Sequence, residues 1–252
     1  MRENRTLLNL YQPYKWVVYF PLLGLSTFGL GITSIVLSWI AGPRVAGICG
    51  RIWSRLNAAA IPMRVRFFDQ GNMKPGQSYV VVSNHQSHLD IFVLIGWSGL
   101  DLRWVMKAEL RKIPVFGFAC SKLGHVYIDR SNREQALATL ERAREKIRDG
   151  TAIVFFPEGT RSPDGALLPF KKGAFRFALD LGLPILPVTI KGTRDLLPGR
   201  SLKLFPGKVD AFVHPPIETT GLGEGDLAEL IARTRAAIAT PLEGRVSHGG
   251  EG

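Results

Sequence analysis

Acid is in deficit in this chain, and cysteine is nearly absent. Of 252 residues, 21 are Asp or Glu against 32 Lys or Arg, a net charge of +11. The isoelectric point is about 10.0. Such a balance favours anionic partners: nucleic acid, anionic lipid head groups or phosphorylated substrates. The two cysteines, Cys49 and Cys120, stand far apart and lack metal-ligand spacing. They imply no disulfide framework, which suits a reducing compartment. No internal repeat, low-complexity tract, helix-turn-helix or zinc module is present, so nothing but the charge speaks for nucleic acid. No G-x-S-x-G elbow is present either, so a serine hydrolase lacks its usual signature.

Charge is also missing from one long run. No charged residue lies between Trp16 and Gly42. A hydrocarbon core of ~30 Å needs ~20 helical residues, so this segment is long enough to cross. Pro21, Gly24, Gly29 and Gly31 allow a kink or a helical hairpin. A cleaved signal peptide would have a shorter apolar core of ~7–15 residues and a small-x-small cleavage site, so a retained anchor is expected. Tyr11, Tyr14, Trp16 and Trp39 stand near its ends, where amphipathic rings favour the interface. Basic residues flank both sides, so they give little vote on orientation. Residues 45–61 carry Ile48, Ile52 and Leu56 on one helical face, with Arg51 and Arg55 beside it. That pattern fits an interfacial helix or an ordinary packed one.

After Ile61, strands are expected at Val65–Phe68, Tyr79–Ser83, Arg103–Met106, Val126–Ile128, Ala152–Phe156, Ile185–Ile190 and Lys208–Val213. Helices are expected near 88–98, 114–122, 132–148, 173–182 and 225–239. The alternation argues an α/β domain, with a mainly parallel sheet flanked by helices and an N-terminal anchoring helix or hairpin. The expected divisions are 1–61 for the anchor and interfacial helix, 62–244 for the α/β domain and 245–252 for a disordered tail. Sites in such sheets form at the strand C-terminal ends.

There the chain places Asn84-His85-Gln86-Ser87-His88-Leu89-Asp90. On a regular helix, five residues amount to ~500° of rotation, so His85 must precede the helix for Asp90 to reach its ring. A carboxylate on Nδ1 then presents Nε2 as a base near neutral pH. The plain alternative is a capping box at Ser87-x-x-Asp90, with Asp90 serving only the backbone. A metal held by His85, His88 and Asp90 has poor spacing. Next comes Phe156-Pro157-Glu158-Gly159-Thr160-Arg161-Ser162. Its glycine lets backbone approach a ligand, and its arginine suits bidentate phosphate binding. Arg161 could equally pair with Glu158 or Asp164. Arg130 (after Tyr127-Ile128-Asp129) and Lys107 also fall at expected strand ends; as surface cations they would need no explanation.

Together, the Asn84–Asp90 run, Tyr127-Ile128-Asp129-Arg130, Phe156–Ser162 and Leu186-Pro187-Val188 resemble the four ordered motifs of glycerolipid acyltransferases, and most of all the 1-acylglycerol-3-phosphate acyltransferases. The resemblance runs from about Asn84 to Ile190. It implies transfer of a fatty acyl group from acyl-CoA or acyl-carrier protein to the 2-hydroxyl of lysophosphatidic acid, giving phosphatidic acid. His85 would be the base and Asp90 its orienting partner. Arg161 and Lys107 would hold the acceptor phosphate, with Arg130 a further candidate. Glu158, Gly159 and Thr160 would form the acceptor loop. No metal or cofactor is implied. The partners are membrane lipid and the two substrates, not nucleic acid. The expected location is a bacterial-type inner membrane, with the catalytic domain on the cytoplasmic face. A different acceptor, or a serine lipid hydrolase using Ser87, are the alternatives.

Overall fold

The computed structural model describes residues 11–129, 133–144, 147, 149–199 and 202–244. The 245–252 segment and Arg130 lie outside that set. Seven strands form one sheet: β1 (Met63–Phe68), β2 (Val80–Ser83), β3 (Asp101–Lys107), β4 (Val126–Ile128), β5 (Thr151–Phe155), β6 (Ile185–Lys191) and β7 (Gly207–Val213). Their spatial order is β1-β7-β6-β2-β5-β3-β4. All neighbours pair in parallel except β6 and β7. Thus β1 and β7 both run against the other five. The link between β6 and β7 holds only a four-residue helix, Thr193–Leu196, too little for the crossover a parallel pair needs.

The central strands are continuous apolar runs because both faces are covered. Successive side chains alternate between faces. Tyr79, Val81, Ala152, Val154, Leu186 and Val188 enter one core; Val80, Val82, Ile153, Phe155 and Ile185 enter the other. Pro187 lies inside a central strand, where a missing N–H normally costs a ladder bond. Here the β6–β7 ladder begins only at Val188, opposite Val213.

On the first face lie helices α1 (Phe20–Ile40), α2 (Gly42–Ala60) and α3 (Leu89–Trp97). A π-helical turn, Lys15–Tyr19, leads into α1. The helix from Tyr11 to Ile40 is long and apolar enough to cross a membrane, with 11% of its most apolar window buried inside the protein. The chain reverses at Ala41, so α1 and α2 form a hairpin. One flank of α2 docks on the body through Ala46, Cys49, Ser54, Asn57 and Ala58. The other exposes Val45, Ile48, Ile52 and Leu56. Asn57 donates to Ser26 Oγ (3.0 Å) and Trp53 Nε1 to Thr27 Oγ1 (2.9 Å), pinning the two helices together. Tyr19, Ala58 and Ile61 belong to the same core as the sheet.

The remaining helices are α4 (Phe116–Lys122), α5 (Arg133–Arg144), α6 (Gly173–Leu181), α7 (Thr193–Leu196) and α8 (Leu227–Leu242). Phe175 and Ala178 of α6 and Leu230 and Ile238 of α8 fill the second face.

Candidate active site

Strand β2 ends at Ser83 and the helix starts at Leu89, so residues 84–88 form the turn between them. Asn84 anchors the turn. Its amide donates to Ile190 O (2.8 Å) and accepts from Ile190 N (2.8 Å), extending the β2–β6 ladder by a side chain. The turn then curls so that several donors converge on Asp90, which is fully buried. Asp90 Oδ2 lies 2.8 Å from His85 Nδ1 and accepts from Gln86 N (2.7 Å) and Ser87 N (2.9 Å). Asp90 Oδ1 accepts from Thr193 Oγ1 (2.5 Å). The two sequence readings of Asp90, cap and histidine partner, therefore coexist on one oxygen. A carboxylate in the first turn is also favoured by the helix dipole.

The His85 ring stacks on Phe156, with centroids 3.9 Å apart and planes 10° from parallel. With Nδ1 engaged by Asp90, Nε2 is the nitrogen left for chemistry. The backbone of His85 is held as tightly as its ring. His85 N donates to Glu158 Oε1 (2.8 Å), and His85 O accepts from Ser162 N (2.8 Å). Glu158 Oε2 accepts from Leu168 N (3.0 Å). Burial raises the Glu158 carboxyl above its ordinary range, opposed by those backbone donors. Glu158 is thus a clamp between the base turn and the loop after β5. Gly159 has φ +72°, a conformation that favours glycine, and a Cβ there would meet Lys171 Nζ at 2.7 Å. Thr160 is exposed beside it.

Arg161 has no ion pair among the described residues. Glu158 is taken up as above, and Asp164 by Ser162 Oγ (3.1 Å) and Ala166 N (3.0 Å). Arg161 instead lines a cavity of about 550 Å³ together with His88, Phe92, Tyr19, Leu23 and Leu204. Its walls are mainly apolar, and one comes from the first turns of the N-terminal helix. Lys107 stands at the same end of the sheet, but its ammonium turns to Glu109 (3.6 Å), with both side chains exposed. His85, Asp90, Glu158 and Arg161 are brought together; Lys107 is not seen to join them. Ser87 is fully buried, donates to Leu197 O (2.8 Å) and accepts from Leu89 N (3.2 Å). Among the described residues, no group of three or more metal-ligating side chains exists.

Thr193 is the residue that sequence reasoning passed over. It lies 103 positions from Asp90 and carries no motif of its own. The available signal was a Gly-Thr pair directly after a strand end.

Comparison with known proteins identifies the family and the fold. The acyltransferase family profile matches residues 64–191. A 1-acyl-sn-glycerol-3-phosphate acyltransferase of Pseudomonas aeruginosa is 32% identical over 251 residues, covering 94% of this chain and 96% of that protein. A chloroplastic 1-acyl-sn-glycerol-3-phosphate acyltransferase of Brassica napus is 42% identical over 139 residues, 55% of this chain. The chain spans about half the length of the plant and algal relatives it matches, between 40% and 56%. The crystal structure of the 1-acyl-sn-glycerophosphate (LPA) acyltransferase PlsC from Thermotoga maritima superposes with a TM-score of 0.78 at 29% identity, covering 100% of both chains. A profile match across half the chain, a relative aligned nearly end to end and a shared fold all agree: this chain belongs to the acyltransferase family.

Proposed function

We propose that the protein transfers a fatty acyl group from a thioester to the 2-hydroxyl of lysophosphatidic acid, giving phosphatidic acid for phospholipid synthesis. The observation that carries this reading is the His85–Asp90 pair, whose neighbours His88 and Leu89 line an apolar cavity together with Arg161, which has no ion pair among the described residues. His85 Nε2 takes the proton of the acceptor hydroxyl as its oxygen bonds to the thioester carbonyl carbon. Asp90 stabilises the imidazolium that forms. The tetrahedral intermediate then collapses, the C–S bond breaks, and the thiolate takes the proton back from His85. The thioester is already activated, so no acyl-enzyme is needed and no metal or cofactor enters a step. Arg161 binds the acceptor phosphate, with Lys107 and Arg130 as further candidates. Glu158, Gly159 and Thr160 shape the acceptor loop.

The donor is acyl-CoA or acyl-carrier protein, both of which are cytoplasmic. This supports a bacterial-type inner membrane with the catalytic body on its cytoplasmic face. The hairpin packs on the body along one flank and leaves the opposite flank apolar, which supports immersion of that flank in the adjacent leaflet. A serine hydrolase reading is weakened by the burial of Ser87, whose hydroxyl is committed to Leu197 O.

The test is thiol release from palmitoyl-CoA or oleoyl-CoA, with and without lysophosphatidic acid, beside His85→Ala. Acceptor-dependent release that vanishes in a folded variant is the expected result. Release independent of acceptor would favour hydrolysis. Failure with CoA donors but success with acyl-carrier protein would fix the donor.

A further inference from the structure

The loop after β6 touches the base turn at two points. Thr193 Oγ1 reaches Asp90 Oδ1, and Leu197 O receives the Ser87 hydroxyl. The first contact depends on Gly192. Its φ is +101°, and a Cβ would lie 2.5 Å from Lys208 O. Only glycine lets the chain pass so close to β7 and turn Thr193 inward. Thr193 is fully buried, as is Asp90. A neutral hydroxyl therefore sits on the far oxygen of the carboxylate that faces His85.

We propose that Thr193 is a positioning residue of this site: its hydroxyl fixes the rotation of the Asp90 carboxylate and disperses its charge, and so sets how strongly that carboxylate draws the His85 imidazole proton. The proposal rests on the reading of His85 as the base. Three donors converge on Oδ2 and one on Oδ1. Without the Thr193 hydroxyl, Oδ1 would be a buried acceptor with no partner among the described residues. With the three remaining donors all on Oδ2, the carboxylate charge concentrates toward His85. The imidazolium is then held more tightly, so at acidic pH a smaller fraction of His85 is in the neutral form that can take a proton. The other charged or titratable groups acting on His85 are Glu158 from the loop after β5 and His88 from its own turn, with Arg161 acting on His88. None of these touches Thr193.

The test is Thr193→Val, which keeps the shape and removes the hydroxyl, beside Thr193→Ser, which restores it, and Thr193→Ala. Purified full-length proteins in detergent are compared by pH–rate profile and by the His85 Nδ1 proton resonance in histidine-labelled protein. Thr193→Val is expected to lower the rate about threefold on the acidic limb, the fold-change that half a pH unit corresponds to, with acceptor KM unchanged and the loss disappearing on the alkaline plateau. The acidic limb of its kcat/KM profile should move up by about half a pH unit or more. The Nδ1 proton should move downfield, and Thr193→Ser should return both signals toward wild type. The proton resonance needs no turnover, so it still reports if the acyl-transfer reading fails. Should Thr193→Val not fold, Thr193→Ala against Thr193→Ser makes the same comparison. An unmoved resonance and profile in either hydroxyl-free variant overturns the proposal, as does a serine variant that fails to recover them.

Discussion

Asp90→Asn separates the two duties that one oxygen performs. An asparagine has one carbonyl oxygen, and the two backbone donors, Gln86 N and Ser87 N, will hold it in the place of Oδ2. His85 Nδ1–H then still finds an acceptor, and the tautomer is kept. What is lost is charge. Three charge-assisted bonds become neutral ones, each weaker by about 1 kcal/mol, and in the fourth the Thr193 hydroxyl must reverse to accept from the new amide. Relief of a buried charge offsets part of that, leaving a stability loss of about 2–3 kcal/mol. For a chain of this size the thermal midpoint should fall by about 4–12 °C. Catalysis loses the attraction between imidazolium and carboxylate, about 4 kcal/mol for charges ~4 Å apart at an effective dielectric of ~20. That corresponds to about 10³-fold in kcat. In serine proteases the equivalent change costs about 10⁴ through a wrong tautomer, and here the backbone donors should prevent that larger loss. The assay is acceptor-dependent thiol release per folded molecule, paired with a melt of the same sample. A variant that melts early yet turns over within threefold of wild type would reduce Asp90 to a helix cap and refute the argument.

Arg161→Ala should raise the acceptor KM about 10- to 100-fold with kcat little changed, because phosphate binding is shared by ground and transition states; an unchanged KM in steady-state kinetics removes Arg161 from the phosphate. Ile48→Asp and Ile52→Asp, on the exposed flank of α2, should each weaken vesicle partitioning at least tenfold, since immersing one isoleucine is worth about 1.5–3 kcal/mol. Full flotation with liposomes would move the anchoring elsewhere. Burial first, then the Arg103 guanidinium, push the His125 imidazole down to about 3, with Asp101 opposing. Its stabilising neutral form is complete above the ordinary value of about 6.5, and stability falls as pH drops from there toward 3, because only the unfolded chain takes the proton. The slope approaches about 1.4 kcal/mol per pH unit between the two values, and the solvent contact that His125 keeps shortens that pH range rather than lowering the slope. Urea midpoints at pH 7 and pH 5 should therefore differ more for wild type than for His125→Gln; equal differences would discard the effect.

Much of this architecture was legible because its signals are local. Continuous apolar runs marked the central strands, and the strand-to-helix switch at 84–89 located the base turn. At Asp90 the residues presented cap and orienter as rivals, since spacing cannot say how many donors converge on one oxygen. Lys107 was correctly placed at a strand end, but strand position does not say where a long side chain turns, and it faces Glu109. Glu158 read as a loop-shaping residue; that its carboxylate grips the His85 backbone depends on a contact 73 positions away. The direction of β7 was hidden for a related reason. Periodicity identifies a strand but is the same read forwards or backwards.

The reversed edge of the sheet has a consequence for how the protein is made. Strand β1 follows directly on the hairpin, yet its strand partner begins at Gly207, about 140 residues later. At a synthesis rate of ~5–20 residues per second, that partner arrives on the order of ten seconds after β1 is complete. For that interval the apolar hairpin has left the ribosome while the sheet edge that closes over it does not exist. Water is the poorer solvent for it during the wait. On the function proposed above, lipid would receive the hairpin first, and the body would be assembled afterwards, already at the surface where the proposed acceptor resides.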